Sequence, residues 1–216
     1  MREPAAFDGF HREAIAFFEG LAADNSRAYW EAHRDVYESH VRAPMEALAG
    51  SLEGLFGSAH LYRPYRDLRF TKDKRPYKEN AAVSFGGRGP RAAAGRHVHL
   101  DAGGIFVAAG AYRLEGETLA AYRRAAAAPR PGEALRRVLD ELKAQGYEIH
   151  GEQLKRAPQG VAPDHPRAGL LRRKGVAAVR TWSVEPWLFT PEAGDRIVRA
   201  LADAEPLVAW LQSHVA

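Results

Sequence analysis

Apolar side chains first recur along this chain at Phe10, Ala14, Phe17, Phe18 and Leu21, spacings of three and four that describe one buried face of a helix. That helix is predicted to end between Gly20 and Ala23. Asp24, Asn25 and Ser26 follow, each able to accept from free backbone N–H groups and so to cap a new helix. A second stripe then runs through Trp30, His33, Tyr37, Val41, Leu48, Leu52 and Leu55, long enough for one rod or a pair. Pro44 lies within it. Lacking an N–H, it either kinks the rod or opens a new helix at its first turn.

Beyond Gly57 the period shortens. Tyr62 to Phe70, Ala81 to Phe85, Arg96 to Asp101 and Ile105 to Tyr112 are short, aromatic or β-branched, and separated by glycines, so they are predicted as strands. Asp101-Ala-Gly-Gly104 reads as a tight turn making the last two antiparallel, and Gly86 to Gly95 reads as a loop. Helical spacing returns at Leu119 to Ala128 and at Leu135, Val138, Leu139 and Leu142, the latter stopped by Gly146. Asp164 or His165 is expected to cap a short helix through Leu171. Val176 to Val184 forms a further strand. Thr190-Pro191 opens a closing helix that Pro206 breaks before Trp210.

Helices and strands are thus clustered, which predicts an α+β fold: a helical N-terminal region, a mainly antiparallel sheet in the middle, helices packed on it and a C-terminal helix. A single domain over residues 1–216 is expected, helical over 9–56, sheet-rich over 62–112 and helical or mixed over 116–216.

The composition, 46% hydrophobic and 27% charged, is that of a folding chain. Zero cysteines remove disulfide scaffolds, thiolate metal sites and cysteine nucleophiles together. The stretch Met1 to Asp8 lacks an apolar core of signal-peptide length, and no segment reaches the ~20 apolar residues of a membrane span. A cytoplasmic protein without membrane association is expected.

The net charge is only +4, yet it is unevenly placed. Residues 62–78 carry seven cations (Arg63, Arg66, Arg69, Lys72, Lys74, Arg75, Lys78) against Asp67 and Asp73, a net +5, leaving −1 for the other 199 residues. Tyr62, Tyr65, Phe70 and Tyr77 interleave with these charges. Cations so crowded repel one another unless anions or carboxylates neutralise them. If Tyr65 to Phe70 is a strand, Asp67 and Arg69 share a face. Two readings stay open: a site in which the arginines grip an anion, or a solvated edge strand whose charges discourage aggregation.

The run Arg66-Asp-Leu-Arg-Phe-Thr-Lys-Asp-Lys-Arg-Pro-Tyr-Lys78 resembles the central signature of the family called domain of unknown function 2461. Asp24-Asn-Ser-Arg-Ala-Tyr-Trp30 is similar to its Asn-Asn-x-Arg-x-Trp-Phe segment, and Leu154 to Gly160 with Asp164-His-Pro166 resembles its later Leu-Lys-x-x-Pro-x-Gly…Asp-His-Pro segment. Asp24 replaces the first Asn, and Thr71 stands where Ser is usual. The resemblance spans roughly the whole chain and implies a neighbourhood for the site, but no established activity.

Within that neighbourhood Asp67, Asp73, Lys74 and His99 are the candidates for catalysis. Arg66, Arg69, Thr71, Lys72, Tyr77, Lys78, Asn25, Arg27, Lys155 and His165 are the candidates for ligand binding. His97 and His99 share a strand face, but with only His165 or Asp164 to join them no metal site is assigned, and no cofactor is expected. The trend favours an anionic, phosphorylated or carboxylated small ligand. A nucleic-acid module, with aromatic rings stacked on bases, is the alternative. A structural domain in which the motif is an internal ion-pair network is the third.

Overall fold

A computed structural model describes residues 6–69, 72–86, 94–156, 158–162 and 164–215. Of the residues singled out above, Phe70, Thr71 and most of the 86–95 loop lie outside that set. The protein is α+β, with a six-stranded antiparallel sheet of order β1-β2-β3-β4-β6-β5. Its strands are β1 (Ala59–Leu61), β2 (Asn80–Phe85), β3 (Gly95–Asp101), β4 (Gly104–Ala111), β5 (Glu148–His150) and β6 (Val176–Trp182). The register pairs His60 with Ser84 between β1 and β2, and Ile149 with Ala178 between β5 and β6. The turn from β3 to β4 closes as its glycines predict: Gly103 N–H donates to Asp101 Oδ1 at 2.7 Å, and Gly104 adopts φ +128°.

The N-terminal helices follow the apolar stripes. In α1 (Arg12–Ala23) Phe17, Phe18 and Leu21 are buried, each such side chain contributing roughly 1.5–3 kcal/mol. Ser26 caps α2 (Arg27–Ala32), its Oγ accepting from Tyr29 N–H at 3.1 Å. A short α3 (Arg34–Val36) runs into a π-helical turn, Tyr37–Arg42, and then α4 (Ala43–Phe56). Pro44 stands in the first turn of α4. Just ahead of it the Ala43 N–H reaches back five residues to Glu38 O instead of four, so the ladder widens where proline removes a donor.

One expectation about the middle of the chain fails. Over the described part of the predicted strand, Tyr62 to Arg69, there is no strand: β1 ends at Leu61, and within that stretch only Tyr65 makes a bridge, with Tyr77. Pro64 and Pro76 cannot donate to a ladder, so the segment closes as a loop through their carbonyls: Arg66 N–H donates to Pro76 O at 2.9 Å and Lys78 N–H to Pro64 O at 2.7 Å. Conversely β1 and β5 are too short to show a period of two.

Further on come α5 (Gly116–Ala127), α6 (Pro129–Ala144), α7 (Ala168–Leu171), α8 (Glu192–Asp203) and α9 (Glu205–Val215). Neither Asp164 nor His165 caps α7, which begins after Arg167; His165 Nδ1 accepts from the Arg167 N–H at 3.1 Å instead. Thr190 turns its hydroxyl back to Trp187 O. Pro206 sits in the first turn of α9, where its missing N–H costs nothing, and the helix runs on past Trp210.

The chain divides into two compact units. One comprises Met1–Phe85, His97–Val107 and Thr181–Arg199, the other Gly86–Arg96, Ala108–Arg180 and Ala200–Ala216. In the first the core gathers Phe10, Phe18, Met45, Leu48, Val83, Phe85, Leu100 and Ile105. In the second Tyr122, Leu135, Leu139, Leu171, Leu207 and Leu211 are buried; Tyr122 meets Trp210 edge-on, and its hydroxyl donates to Leu170 O. No helix among the described residues is long and apolar enough to cross a membrane.

Candidate ligand-binding cleft

The basic motif belongs wholly to the first unit and is anchored at its closing end. Tyr77 is buried and stacks face to face on Trp30, ring centroids 4.4 Å apart and planes 7° from parallel. Asn25 fixes the same residue by its backbone: Nδ2 donates to Tyr77 O at 3.1 Å and Oδ1 accepts from Tyr77 N–H at 3.0 Å. Nδ2 also reaches Glu79 at 3.1 Å. The asparagine read as a ligand contact thus clamps the loop.

Inside the loop the carboxylates neutralise much of the charge. Asp67 accepts Arg69 through both oxygens, at 2.9 and 2.6 Å, the fork-on-carboxylate geometry that makes such pairs strong. Asp73 accepts Arg66 and Arg75, and Arg75 also holds Glu79. The Arg69 guanidinium holds the Asp67 carboxyl below the usual range, and Arg75, seconded by Arg66, holds Asp73 well below it. Both are therefore anions at neutral pH and weak bases. Lys74 Nζ donates to Leu68 O at 3.1 Å. Lys78 lies over the Tyr62 ring at 5.2 Å, and partial burial, reinforced by Arg63, lowers its affinity for a proton.

The other sequence candidates fall elsewhere. Arg27 is exposed and pairs with Glu31 one helical turn away. Lys72 is exposed. His99 stacks on Phe106 at 4.4 Å and meets Asp101 at 3.1 Å; burial lowers its pKa, and Asp101 opposes that. Its neighbour His97 is pushed down to about 4, by burial first and by His99 second, and contacts Ser84 Oγ at 2.9 Å. Lys155 and His165 belong to the second unit.

The concavity in the first unit opens at the motif's leading edge. A cleft of about 380 Å³ is walled on one side by Trp30, Tyr37 and a charged row, and on the other by Leu61, Tyr62, Arg63, Pro64 and Tyr65. The row is Arg34, Glu38, Arg42 and Glu46, spaced four apart. In a plain α-helix each step of four would turn about 40° further around the axis; the wider π-helical turn offsets that drift and keeps the row facing the cleft. Arg42 is held between Glu38 and Glu46, at 3.1 and 2.8 Å. Among the described residues, Arg34 and Arg63 pair with no carboxylate; both are exposed. The Tyr37 hydroxyl is pushed up to about 12 by burial and then by Glu38, so it stays protonated as a donor. Tyr62 OH and Ser84 Oγ lie 3.2 Å apart, continuing to His97.

The charged row is the part that sequence reasoning missed. Its signal is present: alternating signs at Arg34, Glu38, Arg42 and Glu46, one turn apart on the stripe that also carries Trp30. Attention to net charge alone passes over a row that sums to zero.

The second unit has a concavity of its own, of about 260 Å³. Arg136, Lys143, Arg167, Arg172 and Arg173 all line it, with Leu139, Ile149 and Leu170 among the apolar residues. Over residues 13–210 the chain matches the family described as conserved hypothetical protein (DUF2461). No curated protein and no solved structure matches it.

Proposed function

The chain belongs to the DUF2461 family of conserved hypothetical proteins, and from that premise, which supplies no activity, we propose that the first unit binds a small anionic ligand carrying a planar group. The single observation that carries this reading is the cleft beside the motif, lined by an aromatic wall and by Arg34 and Arg63, which among the described residues pair with no carboxylate. Arg63 and Arg34 take the phosphate or carboxylate, for which a guanidinium offers two parallel donors. Tyr62, Tyr65 and Tyr37 contact the planar part, Tyr37 also donating its hydroxyl. Arg42 is held between Glu38 and Glu46 and already neutralised, so the grip on the anion is left to Arg63 and Arg34. The motif's role is to set the strand-like foot that carries Arg63: Asn25, Trp30 and the Tyr65–Tyr77 bridge hold it rigid.

This reading is favoured over a nucleic-acid track by the disposition of the loop. Phosphate tracking asks for a row of free cations, whereas Arg66, Arg69 and Arg75 are engaged by Asp67, Asp73 and Glu79. The test is calorimetric titration of the full chain with nucleoside monophosphates and aromatic carboxylates. Saturable 1:1 binding that Arg63→Ala weakens by roughly ten- to hundredfold is expected, the cost of losing a charge-assisted contact. Absence of binding across both probe classes, or equal affinity in Arg63→Ala, overturns it.

A further inference from the structure

On another side of the same π-helical turn, His40 meets His11. His11 precedes α1 in an extended conformation (φ −108°, ψ 146°), the position where a side chain ordinarily caps the helix, yet its ring makes no capping bond. It turns instead to His40, the two Nδ1 atoms 2.8 Å apart and the rings inclined at 63°. Glu13, in the first turn of α1, completes a trio whose donor atoms all lie within 4.8 Å of one another. Both imidazoles are partly buried and the carboxylate is exposed.

We propose that His11, Glu13 and His40 form a binding site for a divalent transition-metal ion of the zinc class. Three features support it. First, two imidazoles meeting through Nδ1 share one proton between two lone pairs, so as a bare neutral pair they hold together only as opposite tautomers. A metal ion accepts both lone pairs at once. Second, a four-coordinate zinc with ligands at about 2.0–2.1 Å wants donor atoms about 3.3 Å apart. The observed separations, from 2.8 Å to at most 4.8 Å, bracket that value, so small side-chain rotations close the site. Third, two histidines and one glutamate are an open donor set that leaves a fourth position for water or an exogenous anion. Imidazole nitrogen selects zinc, nickel or copper over magnesium or calcium, which demand oxygen.

The placement also explains why such a site escapes a search by sequence spacing. Its ligands come from two elements 29 positions apart, and a His-x-Glu pair is too short a signal alone. The site is independent of the cleft: it uses none of the cleft's lining residues, although His40 shares the π-helical turn with Tyr37, Glu38 and Arg42.

The experiment is titration of the chelator-treated full chain with Co²⁺, followed by the visible d–d bands and by displacement with Zn²⁺. One equivalent is expected to give the strong bands of a four-coordinate ion, discharged by one equivalent of zinc. His40→Gln and His11→Gln each weaken cobalt binding at least about tenfold, and the double variant abolishes the bands. Thermal melts without metal should superimpose on wild type, which separates ligand loss from misfolding. Magnesium should neither produce nor prevent the change. Binding seen only at millimolar cobalt, or bands of full intensity in the double variant, overturns the proposal.

Discussion

The two clefts differ in a way that cation counting conceals. The second unit's concavity is lined by five cations and the first unit's by three, yet the larger number is the more committed. Arg136 pairs with Glu133 and Asp140, and Lys143 with Asp140. Arg167 donates to Ala126 O and Ala127 O, capping the last carbonyls of α5. Arg173 reaches Ile149 O and His150 O at 3.4 and 3.5 Å, and burial lowers its pKa. Arg172 is left exposed. Among the described residues no aromatic ring lines that concavity, whereas four line the other. A ligand site needs donors that are free and a surface that repels water, and the first unit supplies both.

The sharpest way to break this contrast is to remove the aromatic wall. Trp30 is 5% exposed and touches Phe17, Tyr37, Tyr65 and Tyr77. Trp30→Ala is expected to lower stability by about 3–5 kcal/mol in urea unfolding and to abolish probe binding in whatever remains folded. A wild-type midpoint in that variant would mean the wall is not built into the core.

A second contrast is titration. Arginines keep their charge throughout the accessible range, but the wall behind Tyr62 includes His97, whose folded pKa of about 4 lies below its ordinary 6.5. Between those values the unfolded chain binds more protons, so stability is complete above about pH 6.5 and falls as pH drops towards 4, by about 3 kcal/mol in all. Melting temperature against pH measures this, and His97→Gln should flatten the profile in that window. A profile unchanged by His97→Gln would locate the sensitivity elsewhere.

Asn25→Ala probes the foot that carries Arg63. Losing the clamp on Tyr77 should cost about 1–3 kcal/mol and accelerate amide exchange at Tyr77, with Lys78 as the neighbouring reporter. Protection equal to wild type would detach Asn25 from the site. Smallest of all, Arg172→Ala in the second unit should shift stability by no more than about 0.5 kcal/mol and leave probe affinity unchanged. A loss of affinity there would reverse the comparison.

The fold was largely legible because its signals are local. Phe17, Phe18 and Leu21 mark the buried face of α1, and Asp101 with Gly103 and Gly104 marks the hairpin turn. The charge cluster at residues 62–78 was equally plain. What spacing could not convey is how the cluster is neutralised. The Asp73 ion pairs with Arg66 and Arg75 depend on a loop closed by the Tyr65–Tyr77 bridge, and that closure depends on Asn25 and Trp30, some fifty residues earlier in the chain. A period of two in Tyr62 to Phe70 suggested a strand because side-chain alternation is blind to missing donors at Pro64 and Pro76. The Arg34 to Glu46 row went unread for a related reason: its charges cancel in sequence and matter only where a helix face meets the first residues of the motif.

Amide chemical-shift mapping of the full chain, titrated with a nucleoside monophosphate, tests the central claim most directly. Perturbations concentrated at Arg34, Tyr37, Tyr62, Arg63 and Tyr65 are expected. Perturbations centred on Arg66 to Lys78 alone, or on Arg172 and Arg173, would contradict it.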